Sequence, residues 1–528
     1  MITPRDLLIG ARFLRQVPSF LRHPVRADDA RREIRDRLEH RERDFLALAR
    51  RGIFDDARSP YRRLLELAGC TYGDLERLVG RDGVEGALQA LFRAGVYLTV
   101  EEFKGRRPVK RGGVTIDVSP DLVRRPSTTF LEIRSSGSRG SGTPAPIDID
   151  YIRERTVNTS VAIESRGGLG WSHAVWGVPG SLFMANLLEL AGIGGRPARW
   201  FSQVDPASHD LPARYRWSPR VMRWGSLLAG VPLPRVEHAP LDDPTPIARW
   251  ISEALRAGSV PHLLTYASSA VRLCLDAPRA GFDLRGAQFS LTGEPLTAAR
   301  LGVIQRAGAG AAPWYGSMES SSIGHACVAP EAPDETHLLR DRLALIQVAD
   351  VADGANGSGL PPGAILLTSL RPTALFVLLN VSFGDQAVVT ERRCACPMER
   401  VGWTTHLHTI RSYEKLTAGG MTFLDADVIR VLEEVLPARH GGAPSDYQIV
   451  EDHAEDGRPD LRLLVHPRLG DLDAAAVGET LLTAIGSRSG TERLMELVWR
   501  QGRVLRVERQ APLTTATGKI LHLHVRRG

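Results

Sequence analysis

A glycine- and serine-rich stretch has the composition of a phosphate-binding loop. It spans residues 134–144, reads RSSGSRGSGTP, and follows an apolar run, TTFLEI, that predicts a β-strand. Successive backbone N–H groups in such a turn form a concave anion site, and hydroxyls and an arginine add further donors. No Gly-Lys-Ser/Thr closes the stretch, so it is not a Walker loop. These residues alone leave two interpretations open, a polyphosphate cradle or a mobile surface loop.

A second group of residues has the chemistry of a metal site. Three of the five cysteines fall in one third of the chain, together with a histidine, and the set is Cys327, His337, Cys394 and Cys396. Three thiolates and an imidazole suit a tetrahedral structural zinc, although the spacing differs from that of a zinc finger. We predict zinc here. The alternative is two unrelated surface segments with free thiols.

Four further motifs follow at wide intervals. They are Thr292-Gly293-Glu294-Pro295-Leu296, Trp314-Tyr315-Gly316-Ser317-Met318-Glu319, Phe383-Gly384-Asp385 after the most apolar run, and Pro512-Leu513-Thr514-Thr515-Ala516-Thr517-Gly518-Lys519. In this order the set resembles the adenylate-forming superfamily of acyl-CoA synthetases, luciferases and peptide-synthetase adenylation domains. Within that superfamily the chain looks most like the phenylacetate-CoA ligase branch. The resemblance covers residues 90–525, and the second and fourth motifs are its most specific part.

The resemblance implies an ATP-dependent reaction. The family joins a carboxylate to the α-phosphate of ATP, releases pyrophosphate, and passes the acyl group from the AMP ester to a thiol or another nucleophile. Lys519 would bridge the substrate carboxylate and the α-phosphate, and Glu319 would hold Mg²⁺ against the phosphates. Two anions must meet, so catalysis of this kind is mainly positioning and charge neutralisation.

The resemblance also implies which residues bind the nucleotide. Tyr315 would stack on adenine, and Asp385 would accept hydrogen bonds from the ribose hydroxyls. Three residues would line the adenine pocket, namely Gly293, Glu294 and Pro295. Two more belong to the tyrosine motif, namely Gly316 and Ser317. The phosphate cradle would consist of Ser135, Ser136, Gly137, Ser138, Arg139 and Gly140.

A hinge is the third implication of the resemblance. Arg411 stands where the family carries an arginine at the domain junction, and Tyr413 occupies a pivot position that is usually Asp or Lys. Gly419 and Gly420 keep the glycine loop that faces the thioester-forming site. Rotation of residues 412–528 would exchange Lys519 for this loop at the reaction centre.

Three departures from the family pattern bear on the second half-reaction. The phosphate-binding stretch lacks the usual lysine after its last glycine, and Arg139 is the candidate to supply that charge. Asn380 and Val381 replace the usual Arg-Tyr pair before Asp385. The third departure is Tyr413 at the pivot. These changes are compatible with nucleotide chemistry, but they do not indicate which group accepts the acyl group.

The acyl pocket has a weaker signature. The region GLGWSHAVWGVPG carries Trp171, His173 and Trp176, which we predict to line an aromatic or medium-sized pocket near Phe289. His173 is the candidate to contact the substrate carboxylate or its nucleophile. A buried aromatic cluster is the alternative interpretation of the same residues.

The elements that must position these residues indicate an α/β fold. Residues 1–120 show mostly helical spacing, and residues 121–410 alternate short β-rich runs with helices, which predicts helix-covered sheets. Residues 411–528, after the Arg411 hinge, predict a small mobile α+β domain with a YQIVEDH and LRLLVHP hairpin. We also expect the apolar run TALFVLLNVSF to be a buried strand.

Composition narrows the class of protein. The chain has 528 residues, 43% hydrophobic and 24% charged, and a net charge of +6 without a basic stripe, so we expect no nucleic-acid partner. The longest apolar run is too short to span a bilayer, and residues 7–21 could form an amphipathic helix that packs on its own domain or on lipid. No secretory signal is apparent, and the odd cysteine number fits a reducing cytoplasm.

Three functions are compatible with these residues. The leading hypothesis is a ligase that uses ATP and Mg²⁺, holds a structural Zn²⁺, and transfers the acyl group of a small carboxylic acid to coenzyme A. The second is acyl transfer to a carrier-protein thiol, an amine or another nucleophile. The third is a non-catalytic nucleotide-binding scaffold, against which Glu319 and Lys519 argue. A homodimer is an open alternative to a monomer.

Overall fold

The structure is a computed structural model, and part of the chain is described by it. The described residues are 4–125, 131–134, 144–178, 181–195, 197–207, 213–349, 359–413, 416–418, 421–423, 425–453, 459–487, 505–515 and 518–525.

Helices dominate the first hundred residues and then alternate with strands. The helices are α1 (Pro4–Arg22), α2 (Ala27–Glu39), α3 (Arg41–Ala49), α4 (Pro60–Leu67), α5 (Tyr72–Arg93), α6 (Val100–Phe103), α7 (Pro120–Val123), α8 (Ile149–Ser165), α9 (Ser181–Gly192), α10 (Ala213–Leu228), α11 (Thr245–Arg256), α12 (Ala267–Arg279), α13 (Ala298–Arg306), α14 (Asp425–Arg430), α15 (Leu436–His440) and α16 (Ala474–Ile485).

The strands begin after α6. They are β1 (Val109–Arg111), β2 (Val114–Ile116), β3 (Leu131–Arg134), β4 (Pro144–Ile147), β5 (Ser172–Gly177), β6 (Arg199–Ser202), β7 (Val236–His238), β8 (Pro261–Tyr266), β9 (Gln288–Thr292), β10 (Gly310–Ser317), β11 (Ser321–Ala326), β12 (Thr336–Leu338), β13 (Leu343–Gln347), β14 (Ile365–Ser369), β15 (Asp385–Glu391), β16 (Thr405–Ser412), β17 (Leu416–Ala418), β18 (Met421–Phe423), β19 (Tyr447–His453), β20 (Pro459–Val465), β21 (Leu505–Glu508) and β22 (Leu523–Val525).

One large sheet organises the core. Among the described strands it has the order β15-β16-β12-β11-β10-β9-β8-β5-β6-β7. The half from β10 to β7 is parallel, whereas the half from β15 to β10 is antiparallel. Every residue of β8 is buried, as expected for a parallel strand covered on both faces. The predicted α/β class is therefore confirmed.

A small second sheet lies in the C-terminal part of the chain. Its order is β21-β20-β19-β22, and β19 and β20 pair antiparallel as the sequence predicts. Apolar residues of this sheet pack against α14–α16 in a separate core that includes Val431, Tyr447 and Leu481. We call the described part of residues 425–525 the C-terminal unit.

The predicted strand in TALFVLLNVSF is wrong. Residues 373–383 are mostly buried but irregular, and they join their neighbours through isolated bridges such as that between Leu367 and Val381. Asn380 interrupts the run with a left-handed φ of 49°. Its side-chain amide donates to the backbone oxygens of Leu88 and Val96, at 2.9 and 3.1 Å, so hydrogen bonding to α5 and the residues after it replaces strand pairing.

The first helix packs on the core. Phe13, Val17 and Phe20 of α1 are buried in the cluster on the face of the large sheet opposite α11–α13. These three side chains are therefore packed on their own domain, and the lipid-contact alternative for residues 7–21 as a whole stays a prediction. No helix in the described ranges has both the length and the apolarity that crossing a bilayer requires.

Candidate active site and metal centre

The carboxyl ends of the parallel strands create the candidate active site. β8 ends at Tyr266 and β9 at Thr292, and the two residues are in register with each other. The chain then turns at Gly293, whose φ of 76° is in the left-handed region that favours glycine. This edge of a parallel sheet is where ligands bind in open α/β folds.

Lys519 enters this edge from the C-terminal unit. A methyl group added at Gly293 would lie 2.8 Å from Lys519 Cε and 2.9 Å from its Nζ, so the lysine side chain passes directly over the glycine. The Nζ atom lies 5.5 Å from the centroid of the Tyr266 ring. Burial lowers the pKa of Lys519, and the Glu294 carboxylate opposes that shift. The arrangement presents a positive charge at the strand ends.

Glycine is also required next to the lysine. Gly518 has a φ of 82°, and a methyl group there would lie 1.6 Å from Oε1 of Gln203, which follows β6. Lys519 and Thr515 close the turn, because the Thr515 N–H donates to the Lys519 oxygen at 2.8 Å. The loop that carries Lys519 is thus fitted closely to the core.

Glu294 anchors the C-terminal unit through its carboxylate. One oxygen accepts the Ser268 N–H at 2.8 Å and Arg300 Nη1 at 2.9 Å. The other accepts the Ser268 hydroxyl at 2.8 Å and the Ile520 N–H at 3.1 Å. Protein donors therefore surround the carboxylate that the family resemblance assigns to the adenine pocket, and one of them comes from the segment beside Lys519.

Arg300 continues this network into the helices of the C-terminal unit. Its Nε lies 2.7 Å from Glu433 Oε1, and both side chains are 1% exposed. His522 Nε2 also lies 2.6 Å from Glu433, and Thr297 donates to the other Glu433 oxygen. We call Glu294, Arg300, Glu433 and His522 the docking cluster. Burial opposes ionisation of Glu433, but the charges of Arg300 and His522 outweigh it and lower its pKa to about 2.

The tyrosine and aspartate motifs meet beside this edge. Tyr315 donates its hydroxyl to Asp385 Oδ2 at 2.7 Å, although the two residues are seventy positions apart. Burial, followed by the charge of Asp385, raises the pKa of Tyr315 well above its ordinary value. Gly316 and Ser317 complete β10, and the Ser317 hydroxyl accepts the Ser320 N–H at 3.0 Å.

Glu319 has a cationic neighbour that the sequence analysis missed. Its side chain is 5% exposed, its Oε1 makes no hydrogen bond, and Lys104 Nζ lies 3.8 Å away. Lys104 directly follows α6, some two hundred residues from Glu319, and only a helix end followed by Gly105 marks it in the sequence. A buried carboxylate oxygen with no hydrogen bond is compatible with a cation ligand.

The predicted hinge residues lie at the end of the large sheet. Arg411 Nη1 donates to Asp334 Oδ2 at 2.7 Å, and Asp334 also accepts the N–H groups of residues 409 and 410. β16 continues to Ser412, opposite Asp385. Tyr413 then bonds the Ser382 hydroxyl at 2.6 Å. Arg411 is thus held by the core, and the boundary at 411 stays a prediction.

Two predicted loops lie outside the described residues. They are the phosphate cradle, Ser135, Ser136, Gly137, Ser138, Arg139 and Gly140, and the glycine loop, Gly419 and Gly420. Their roles stay predictions.

The three aromatic residues predicted for the acyl pocket are placed differently. Trp176 is fully buried on the α11–α13 face of the sheet, whereas Tyr266 packs on the opposite face. His173 is also fully buried, at the amino end of β5, and its Nδ1 lies 2.9 Å from His262 Nδ1. Trp171 packs against the His262 ring. His173 and Trp176 alternate along β5 and therefore lie on opposite faces of the sheet, so they do not line one common wall. The assignment of the three residues to an acyl pocket stays a prediction.

The cysteines and histidine of the predicted zinc site come together. One ligand atom from each of Cys327, His337, Cys394 and Cys396 lies within 4.8 Å of all the others. His337 Nδ1 lies 2.7 Å from the Trp403 backbone oxygen, so it carries the proton and leaves Nε2 as the free lone pair. That Nε2 lies 3.2 Å from Cys396 Sγ and 3.7 Å from Cys394 Sγ.

The surroundings of this cysteine cluster favour one cation rather than two. Cys327 also groups with Glu335 and His406, but Arg392 already donates to the Glu335 carboxylate. Between Cys394 and Cys396, Ala395 has a left-handed φ of 59°, an uncommon conformation for a residue with a side chain. Such strain is typical of a turn that aims two side chains at one point.

Structural comparison agrees with this architecture. Two structures of 2-hydroxyisobutyryl-CoA ligase in the postadenylation state are similar to the chain. The complex with 2-HIB-AMP has a TM-score of 0.54 at 16% identity, and that with R3-HIB-AMP a TM-score of 0.51 at 17% identity. Each covers 96% of this chain and 91% of its own. No protein-family profile matches the chain, nor does any curated protein sequence. The likeness establishes the fold.

Proposed function

We propose that this chain, which has the fold of the adenylate-forming ligases, uses ATP to activate a carboxylic acid as an acyl- or aryl-adenylate. The observation that carries the proposal is the position of Lys519. A lysine with a lowered pKa projects from a separate unit onto the strand ends, beside the edge where Tyr315 and Asp385 meet. A non-catalytic scaffold would have no need of such a placement.

The proposed first step balances as a phosphoryl substitution. A carboxylate oxygen of the acid attacks the α-phosphorus of ATP, and the bond to the pyrophosphate oxygen breaks with its electron pair. Lys519 would lie between the two anions and stabilise the negative charge that accumulates on the α-phosphate. Because the side chain is held by the turn at Gly518, little reorganisation would be needed at the moment of reaction.

Glu319 fits a role as the Mg²⁺ ligand. Its Oε1 atom is buried without a hydrogen bond, and oxygen ligands from one or two carboxylates are what Mg²⁺ takes beside nucleotide phosphates. The ion would neutralise the leaving pyrophosphate. We propose that Lys104, 3.8 Å from Glu319, contributes a second positive charge there, which would offset the lysine that the phosphate-binding stretch lacks.

The cysteine cluster fits a structural zinc site. Four donors without an open position would form a closed tetrahedral site, and the Trp403 carbonyl orients the imidazole. A bound zinc would join β11 and β12 to the segment that follows β15. The six-residue strand β11, about 20 Å long, separates Glu319 from Cys327, so this metal would support the fold rather than the reaction.

A thiol is the proposed acyl acceptor, with coenzyme A the first candidate. The sulfur would attack the acyl carbon, lose its proton, and expel AMP with the electron pair of the broken C–O bond. The alternative is a protein thiol, an amine or another nucleophile. Rotation about the predicted hinge would have to remove Lys519 first, and the docking cluster would have to open for it.

Pyrophosphate release with a panel of aryl and aliphatic acids tests this function. The expected result is release that requires both ATP and one class of acid, with AMP formed in equal amount. Repeating the assay with and without coenzyme A separates the acceptors, because an acyl-CoA product appears only if the thiol of coenzyme A is used. Absence of acid-dependent release across the panel would reject the proposal.

A further inference from the structure

Helix α10 turns an apolar side to solvent. Val221, Trp224, Leu227 and Leu228 are 40, 72, 41 and 74% exposed. At 100° per residue, Leu227, Arg220, Trp224, Leu228 and Val221 follow one another within an arc of about 120°, with Trp224 at its centre. We call these five residues the α10 face. Four of its five members are apolar, which is the reverse of an ordinary surface helix.

The opposite side of α10 is packed normally. Met222, Ser226 and Ala229 are between 0 and 7% exposed, and the Ser226 hydroxyl accepts the Leu233 N–H at 2.9 Å. Gly225 lies against α1, because a methyl group there would be 3.2 Å from Leu14 Cδ2. The helix therefore has a well-formed inner side, and the α10 face is its outer side.

Arginines are concentrated on α10 and on its neighbour α1, and one of them reaches the α10 face. Helices α1 and α10 together contain eight arginines and one acidic residue, Asp6. Arg12, Arg15 and Arg22 are exposed on α1. Arg22 Nη2 donates to the Leu228 carbonyl at 2.6 Å, which places its cation at the carboxyl end of the α10 face. A partner that covers the α10 face must therefore also carry negative charge to pair with these arginines.

The apolar surface and the neighbouring arginines together indicate which partner could cover the α10 face. A second copy packed with α10 against α10 would bring two sets of arginines close together. Each α1–α10 pair has a single acidic residue to offset them, so this contact is electrostatically unfavourable. A bilayer of anionic lipids supplies both an apolar layer and phosphate groups. Trp and Leu at the centre with Arg at the edges is the pattern of helices that lie in the membrane interface.

We propose that the α10 face docks onto the surface of an anionic lipid bilayer. Trp224 and Leu228 enter the boundary between headgroups and acyl chains, and the exposed Arg12, Arg15 and Arg22 of α1 contact lipid phosphates. The contribution of α1 to this docking is its charge, because Phe13, Val17 and Phe20 are buried in the core. This docking is independent of the proposed reaction, and a failure of either leaves the other standing.

Vesicle co-sedimentation tests the docking. The full chain is mixed with vesicles of phosphatidylcholine alone or of phosphatidylcholine and phosphatidylglycerol at two to one. Binding to the anionic vesicles only, weakened by added salt, is the expected result. The double variant Trp224→Ser, Leu228→Ser should bind them about tenfold or more weakly, since two apolar side chains lose their insertion.

Controls separate the α10 face from general exposure and from self-association. Leu169→Ser and Val328→Ser change residues that are 43 and 45% exposed elsewhere, and they should bind like the native chain. Equal unfolding midpoints check that each variant is folded. Absence of binding to anionic vesicles, or equal binding by the double variant, overturns the proposal. A lipid-free dimer that the double variant abolishes would also overturn it, in favour of a second copy.

Discussion

Two buried polar clusters hold this molecule together in different ways. The docking cluster balances its charges from its own side chains, since Glu294 and Glu433 face Arg300, with Lys519 beside them. The cysteine cluster collects three thiols and an imidazole, and Arg392 approaches only its edge, with Nη2 3.7 Å from Cys327 Sγ. The first crosses between the core and the C-terminal unit, whereas the second lies within the core.

The difference indicates what each cluster is suited to do. Side-chain ion pairs can separate and re-form, because each charge can be hydrated when the units part. Thiolates crowded within a few ångströms need a metal to neutralise them, and a metal-bound site stays closed. Reversible contacts between the core and the C-terminal unit, beside Lys519, are consistent with a hinge. A metal-bound site on β11 and β12 would instead fix that part of the core.

The largest expected effect is removal of the metal from the cysteine cluster. We expect the native chain to contain one zinc, and Cys394→Ser to lose it together with several kcal/mol of stability, since structural sites contribute about 10–16 kcal/mol in isolated fingers. Metal analysis and thermal unfolding measure both. Cys70→Ser is the matched control, because Cys70 is likewise a half-buried free cysteine. Equal zinc content in both variants would contradict the assignment.

A smaller effect is expected when the docking cluster loses one charge. Glu433→Gln leaves Arg300 with only Glu294, at a cost of about 3 kcal/mol. Because the Ile520 N–H is bonded to Glu294, its hydrogen exchange should accelerate about a hundredfold while the core strands stay protected. The neighbouring Glu434 is exposed, so Glu434→Gln should leave exchange unchanged. Unaltered exchange at Ile520 in Glu433→Gln would mean that the cluster does not hold the unit.

Acid should weaken the same docking-cluster contacts between the core and the C-terminal unit. The pKa of Glu433 is lowered to about 2 in the folded chain, whereas the pKa of a glutamate in an unfolded chain is about 4.3. Its contribution is therefore complete above about pH 4.3 and is lost as the pH falls towards 2. Exchange at Ile520 should rise over that interval beyond the intrinsic pH effect, and the rise should be reduced in Glu433→Gln. An equal rise in both would assign it to other carboxyl groups.

The smallest expected effect concerns Lys104. Lys104→Ala removes the cation beside Glu319, and we expect pyrophosphate release to fall about tenfold, with a raised KM for MgATP. Lys110→Ala removes an exposed lysine of β1 and should change neither. A drop in stability without any change in the MgATP dependence would assign Lys104 to the fold alone.

Local pattern predicted some of these features well and missed others. The α/β class and the β19–β20 hairpin follow from periodicity, and the grouping of three cysteines with His337 follows from their ligand chemistry. Arg300, Glu433 and His522 carry no local signal, because their pairing depends on how two units pack. The sequence could not fix the position of Trp176 for a related reason, since an aromatic residue in a strand has the same pattern whether it lines a pocket or the core. Asn380 broke a predicted strand because its side chain bonds backbone far away in sequence.

The most direct test of the central claim compares acid-dependent pyrophosphate release by the native chain, Lys519→Ala and Lys110→Ala. The account predicts that Lys519→Ala loses about 10²–10³-fold in rate, as when one group that stabilises transition-state charge is removed, while ATP binding persists. Lys110→Ala should match the native chain. Pyrophosphate release that is independent of acid, or equally fast in Lys519→Ala, would contradict the account.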